Sequence, residues 1–157
     1  GVISLSTVPI SVFFKEKSLQ EEVFGPHAFV VIYDTLDEVN EVLKALGGQL
    51  TISFFGEPSL IASNKTLLDT ASQMAGRIIW NGVPTGVVVN SSSNHGGPYP
   101  ASSDGRFTAV GLDSWKSFAR WVVWQNAPNE LLPPSLRDEN PLKLIRRING
   151  MLSKATL

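Results

Sequence analysis

Two stretches of this 157-residue chain hold side chains that could do chemistry. The first is Glu21-Glu22-Val23-Phe24-Gly25-Pro26-His27, where two acids precede an aromatic and a Gly-Pro turn signal. It has two readings. One is a solvated acidic turn ahead of a strand. The other is a carboxylate that accepts hydrogen bonds from hydroxyls, as a sugar-binding carboxylate does. The second stretch is Ser93-Asn94-His95-Gly96-Gly97-Pro98-Tyr99-Pro100-Ala101-Ser102-Ser103-Asp104-Gly105-Arg106. No helix or strand period fits it. Its glycine pair allows close backbone approach. Its prolines fix their own φ and push their predecessors toward extended conformations. It reads as a long shaped loop, either functional or a crossover between two elements. His95-Gly96-Gly97 could also suit the oxyanion loop of an esterase. That chemistry needs a G-x-S-x-G nucleophile elbow, which the sequence lacks.

Composition narrows the chemistry further. With no cysteine, the chain has no disulfide, no thiolate metal site and no cysteine nucleophile of its own. His27 and His95, the two histidines, are too few and too far apart in sequence to suggest a metal cluster, so no metal is expected. A net charge of −1 gives no reason to expect nucleic acid or an anionic membrane as partner. No apolar run approaches the length of a membrane span. Gly1-Val2-Ile3-Ser4-Leu5 lacks the basic residues and cleavage site of a signal peptide, so no leader is expected. The length allows a real core, and 43% hydrophobic residues suit an ordinary globular chain.

The elements that must position these stretches follow from periodicity. Residues 2–14 are apolar with Pro9 inside, which predicts an edge strand or two short extended pieces. Lys15 to Glu21 allows a helical turn. Ala28 to Tyr33 is continuously apolar and predicts a strand buried on both faces of a parallel sheet. Thr35 and Glu38 make a capping box for a helix carrying Leu36, Val39, Val42, Leu43 and Leu46, ended by a left-handed cap at Gly47-Gly48. Leu50–Phe55 is the next strand. Ser63 or Asn64 caps a helix with a core stripe of Leu67, Leu68, Ala71, Met74 and Ala75, with Gly76 at its end. A third strand covers 77–81, and the whole reads as a parallel βαβαβ unit. Val87 to Val89 is a short extended run. Asp113 caps a short helix over 114–120. Residues 118–125 then predict a strand with aromatics on both sides, buried either in the core or against another subunit or domain. Asn140-Pro141 opens a last helix, with Arg146 and Arg147 in its final turn and Gly150 at its end.

The residues also carry a resemblance. Glu21-Glu22-Val23-Phe24-Gly25-Pro26 resembles the E-E-[IV]-F-G-P signature of the aldehyde dehydrogenase superfamily. Ala75-Gly76-Arg77 through Pro84-Thr85-Gly86-Val87 is similar to the α-ketoglutaric semialdehyde (2,5-dioxovalerate) dehydrogenases within it, and so is His95 through Asp104 with Arg106. Gln125-Asn126, Leu131-Leu132-Pro133 and Asn140-Pro141-Leu142 continue the likeness over nearly the whole chain. The chain departs from the pattern at Val88, where relatives usually carry glutamate, and at Ser91-Ser92-Ser93. Both places line or flank the substrate route in that family.

The resemblance implies an α/β fold. Residues 1–112 would be the carboxy-terminal part of the aldehyde dehydrogenase catalytic domain, and 113–157 an oligomerisation strand and carboxy-terminal helix. It implies that Glu22 holds the nicotinamide ribose hydroxyls of NAD or NADP and that Phe24 packs near the nicotinamide. His95, with Gly96 and Gly97, would belong to the substrate pocket. The family's reaction is thiolate attack on an aldehyde, hydride transfer to NAD(P)+ and hydrolysis of the thioester. Its cysteine, its general-base glutamate and most of its cofactor site lie upstream in the family, so this chain alone is expected to be inactive. The implied protein is a cytoplasmic homo-oligomer, dimer or tetramer, acting on a small-molecule aldehyde. Other readings are a long-chain (fatty) aldehyde dehydrogenase using NADP and, more remotely, a non-enzymatic α/β assembly module.

Overall fold

The structure is a computed structural model that describes residues 1–86 and 88–157; Val87, in the expected 87–89 extended run, lies outside the described residues. It divides into two compact units, Gly1–Ala119 and Arg120–Leu157.

The first unit begins with β1 (Ser4–Pro9), α1 (Ile10–Lys15) and a 3₁₀ turn over Lys17–Gln20. Pro9 ends β1 and serves as the N-cap of α1. Pro9 itself stays extended, and the second extended piece expected after it is a short helix instead. β2 (His27–Ile32), α2 (Leu36–Leu46), β3 (Gln49–Phe54), α3 (Pro58–Ala62), α4 (Lys65–Met74) and β4 (Ala75–Trp80) follow.

The two helix N-caps form as the sequence requires. Thr35 Oγ1 accepts from Glu38 N, and Glu38 Oε2 accepts from Asp34 N and Thr35 N at 2.7 and 3.0 Å. Those amides hold the Glu38 carboxyl below the usual carboxylate range. Asn64 Oδ1 caps α4 by accepting from Leu67 N at 2.9 Å. Gly47 ends α2 at φ 68° but ψ −159°, an extended turn rather than the left-handed cap expected. α4 packs against α2 and buries Leu67 and Ala71 of the expected stripe, while Ala75, also buried, is the first residue of β4.

The pairing of strands differs from the expected continuous unit. β1 pairs with β2 and β3 with β4, both in parallel, and among the described residues β2 and β3 are not hydrogen-bonded to each other. β2 is covered on one face only: Val30 and Ile32 are exposed while Phe29 and Val31 are half-buried. A strand is buried on both faces only where a packed layer covers each face of its sheet, and one face of β2 is left open. Gly76 is the second residue of β4, not the end of α4. Ser114–Phe118 forms a 3₁₀ turn, shorter than the helix expected, and Asp113 caps it through no side-chain hydrogen bond.

The second unit contains neither the strand expected over 118–125 nor the helix expected from Pro141. Residues 120–125 carry no strand ladder among the described residues. An extended segment becomes a strand only when a neighbour takes its backbone groups. Asn140 does not cap a helix. It is buried at φ 49°, donates from Nδ2 to the carbonyls of Leu144 and Lys154, and accepts from Leu144 N. Arg146–Ile148 (β5) and Met151–Ser153 (β6) form an antiparallel hairpin. Its two-residue turn is Asn149-Gly150 at φ 49° and 86°, the positive-φ pair that a twisted hairpin favours. Arg146, expected in the last turn of a helix, lies in β5 instead and donates to the carbonyls of Arg137, Asp138 and Ala155. The unit is held mainly by side chains bonding to backbone rather than by a large apolar core.

Candidate functional site

The 93–106 loop lies against the starts of β3 and β4. The Gln49 carbonyl, at the first residue of β3, occupies the place a Cβ on Gly97 would take, and the Gly96 carbonyl does the same to Gly76 in β4. Only glycine lets two backbones meet this closely. Asn94 Nδ2 adds a hydrogen bond to the Gly76 carbonyl at 2.8 Å.

Within the loop the backbone is closed on itself. His95 N donates to Thr108 Oγ1 at 2.8 Å, and Ala109 N donates to the His95 carbonyl at 2.9 Å. Gly97 N donates to Ser102 Oγ at 3.3 Å, while the same hydroxyl donates to the Gly97 carbonyl. The amides of His95 and Gly97 are therefore taken, and neither faces outward as an oxyanion donor would. The His95 imidazole is exposed. Further along, Arg106 Nε and Nη2 grip both oxygens of Asp104, at 2.9 and 2.6 Å. Those side-chain bonds, with a backbone bond from Arg106 N, lower the Asp104 carboxyl to about 2 and raise the Arg106 guanidinium.

Glu22 follows the 3₁₀ turn at Lys17–Gln20 and lines an open cavity of about 740 Å³. Glu21, Gln49, Thr51, Pro100 and Ala101 are among its other walls. The fold thus brings the acidic stretch and the middle of the glycine loop to one concavity. Phe24 and His95 are not among the residues lining it. Phe24 is 95% exposed, with its ring free to take a planar partner.

A nicotinamide nucleotide would need a carboxylate that accepts hydroxyls and an open aromatic ring, and Glu22 and Phe24 have that chemistry, Glu22 at the cavity and Phe24 outside its lining. Glu22 is exposed and accepts no hydrogen bond from another side chain or amide among the described residues, so its oxygens can take a ribose diol. No group of three or more His, Cys, Asp or Glu that could hold a metal occurs among the described residues. No helix among them is long and apolar enough to cross a membrane.

Three features of this site escaped the sequence reading. The Asp104–Arg106 pair sits two residues apart, a spacing from which it could have been proposed. Thr108 carried no signal, because its role depends on where His95 folds back. The contact of Gly76 with the loop was hidden by its position just after a helical stripe.

No protein-family model matches the chain. Comparison with curated proteins finds clear relatives. The chain is 43% identical over 136 residues to alpha-ketoglutaric semialdehyde dehydrogenase of Acinetobacter baylyi, covering 87% of this chain and 26% of that protein. It is 40% identical over 147 residues to alpha-ketoglutaric semialdehyde dehydrogenase 2 of Azospirillum brasilense, covering 94% of this chain and 28% of that protein. The chain therefore spans about a quarter of the length of the curated relatives it matches, and the resemblance read from its residues is borne out.

Proposed function

We propose that the chain is the carboxy-terminal portion of an NAD(P)-dependent aldehyde dehydrogenase that oxidises α-ketoglutaric semialdehyde to 2-oxoglutarate. The similarity over nearly the whole chain to two dehydrogenases of that name carries the reading. In it, residues 1–112 complete the catalytic domain and 113–157 serve oligomerisation, in a cytoplasmic dimer or tetramer. The exposed aromatics of the 118–125 segment, Phe118 at 93% and Trp121 at 97%, then belong at a subunit contact.

When bound, NAD(P)+ supplies the hydride acceptor that lets the aldehyde carbon reach the oxidation level of an acid. This chain's own residues bind and orient. Glu22 accepts the two ribose hydroxyls, which fixes the rotation of the nicotinamide end. Phe24 offers its ring face beside the nicotinamide and limits water there. His95 presents its imidazole to the aldehyde from a backbone bonded on both sides. The thiolate nucleophile comes from another part of the protein, since this chain has no cysteine. The isolated chain is accordingly inactive.

Glu22→Gln and Phe24→Ala in the longer protein test the cofactor assignment. Each should raise KM for the cofactor or lower turnover by about tenfold, the loss of one charge-assisted hydrogen bond or one stacking contact. Unchanged cofactor kinetics in both variants would remove Glu22 and Phe24 from the cofactor site.

A further inference from the structure

We propose that Thr108 is a positioning residue for the substrate-facing loop, setting the place of His95 without touching substrate. The inference rests on the reading of His95 as a substrate-facing side chain. It starts from one buried hydroxyl.

Thr108 is only 9% exposed, and its Oγ1 has three partners. It accepts from His95 N at 2.8 Å and from Val110 N at 3.3 Å, and it donates to the Val110 carbonyl at 2.8 Å. Its single proton is directed to Val110, so both its acceptor positions face amides. Ala109 N returns to the His95 carbonyl at 2.9 Å. Both backbone groups of His95 are thus clamped to one short run, 108–109.

The residues on either side are fixed independently. Asn94 is tied to Gly76, and the Gly96 carbonyl is pressed against the α-carbon of Gly76. His95 therefore has a rigid backbone and an exposed side chain that makes no hydrogen bond among the described residues. A free side chain on a held backbone is the arrangement that recognition requires. Of the contacts that hold it, Thr108 Oγ1 is the one a single side-chain change can remove without altering the loop's own sequence. A buried hydroxyl deleted there leaves the His95 and Val110 amides without partners.

The test compares Thr108→Val, which keeps the shape and loses the hydroxyl, with Thr108→Ser, which keeps the hydroxyl. In the longer protein carrying this chain, Thr108→Val should speed hydrogen exchange of the His95 amide by about tenfold, and Thr108→Ser should leave it near wild type. In the longer dehydrogenase, Thr108→Val should raise KM for the semialdehyde by about tenfold while kcat changes less than about threefold, and serine should restore KM. Equal exchange in all three proteins would overturn the latch. Equal loss of kcat and KM effects in both variants, with a lowered Tm, would reduce Thr108 to a structural residue and overturn its positioning role. If the wild-type longer protein did not oxidise the semialdehyde, the functional reading would fail, and the latch would be decided by the exchange experiment alone.

Discussion

Gly76 and Gly96 meet backbone to backbone: the Gly96 carbonyl oxygen fills the place where a Cβ on Gly76 would stand. One glycine belongs to β4 and the other to the long loop, so this contact docks the loop onto the strand pair. Gly76→Ala should push the loop off β4. The cost should be about 1–3 kcal/mol, the usual price of forcing extra volume into a packed place. Urea unfolding of the variant measures it, and a change below about 0.5 kcal/mol would mean the loop moves aside freely.

The Asp104–Arg106 pair makes the loop sensitive to acid. Asp104 titrates at about 2 in the folded chain, below its usual range of about 4, because Arg106 bonds the charged form. A lowered folded pKa contributes stability that is complete above the unfolded value and is lost as pH falls through the folded one. Proteolysis within 93–106 should therefore increase between about pH 4 and pH 2. Asp104→Asn should remove that step, and added salt should weaken it, since the Arg106 side chain is largely exposed. A carboxyl titration midpoint for Asp104 near 4 would contradict the pairing.

In the second unit the hairpin turn is the weak point to probe. Gly150 holds φ at 86°, which a side chain disfavours. Gly150→Ala should destabilise the hairpin by about 1 kcal/mol and accelerate amide exchange across Arg146–Ser153. Exchange as slow as in wild type would show that the β5–β6 pairing does not depend on this turn.

The exposed apolar surface predicts self-association of the isolated chain. Val2, Phe24, Phe118, Trp121 and Val123 are all at least 86% exposed. β2 and β4 each have a strand neighbour on one side only among the described residues. Light scattering should report species larger than a monomer. A monomer that persists on concentration would contradict this.

What the sequence made legible was what neighbouring residues decide. The Thr35–Glu38 capping box, the Asn64 cap and the buried stripe of α4 all follow from spacings of three or four. Strand pairing was not legible, because β1, β2, β3 and β4 read alike and only tertiary contacts choose their neighbours. At the carboxy-terminal end two local signals competed. Asn140-Pro141 argues for a helix start and Asn149-Gly150 for a hairpin turn, and the hairpin wins because both turn residues reach positive φ while Asn140 bonds elsewhere. Within the site, the motif marked Glu22 and the loop. The cavity where they meet is also lined by Gln49 and Thr51, which carry no signal of their own.

The central claim is tested most directly by aldehyde-dependent reduction of NAD+ and NADP+ by the longer protein carrying this chain. The substrates to compare are α-ketoglutaric semialdehyde and a long-chain aldehyde. The account predicts turnover with the semialdehyde, well above that with the long-chain substrate, and none from the 157-residue chain alone. Turnover confined to the long-chain aldehyde, or no turnover from a folded protein that has its catalytic cysteine, would contradict it.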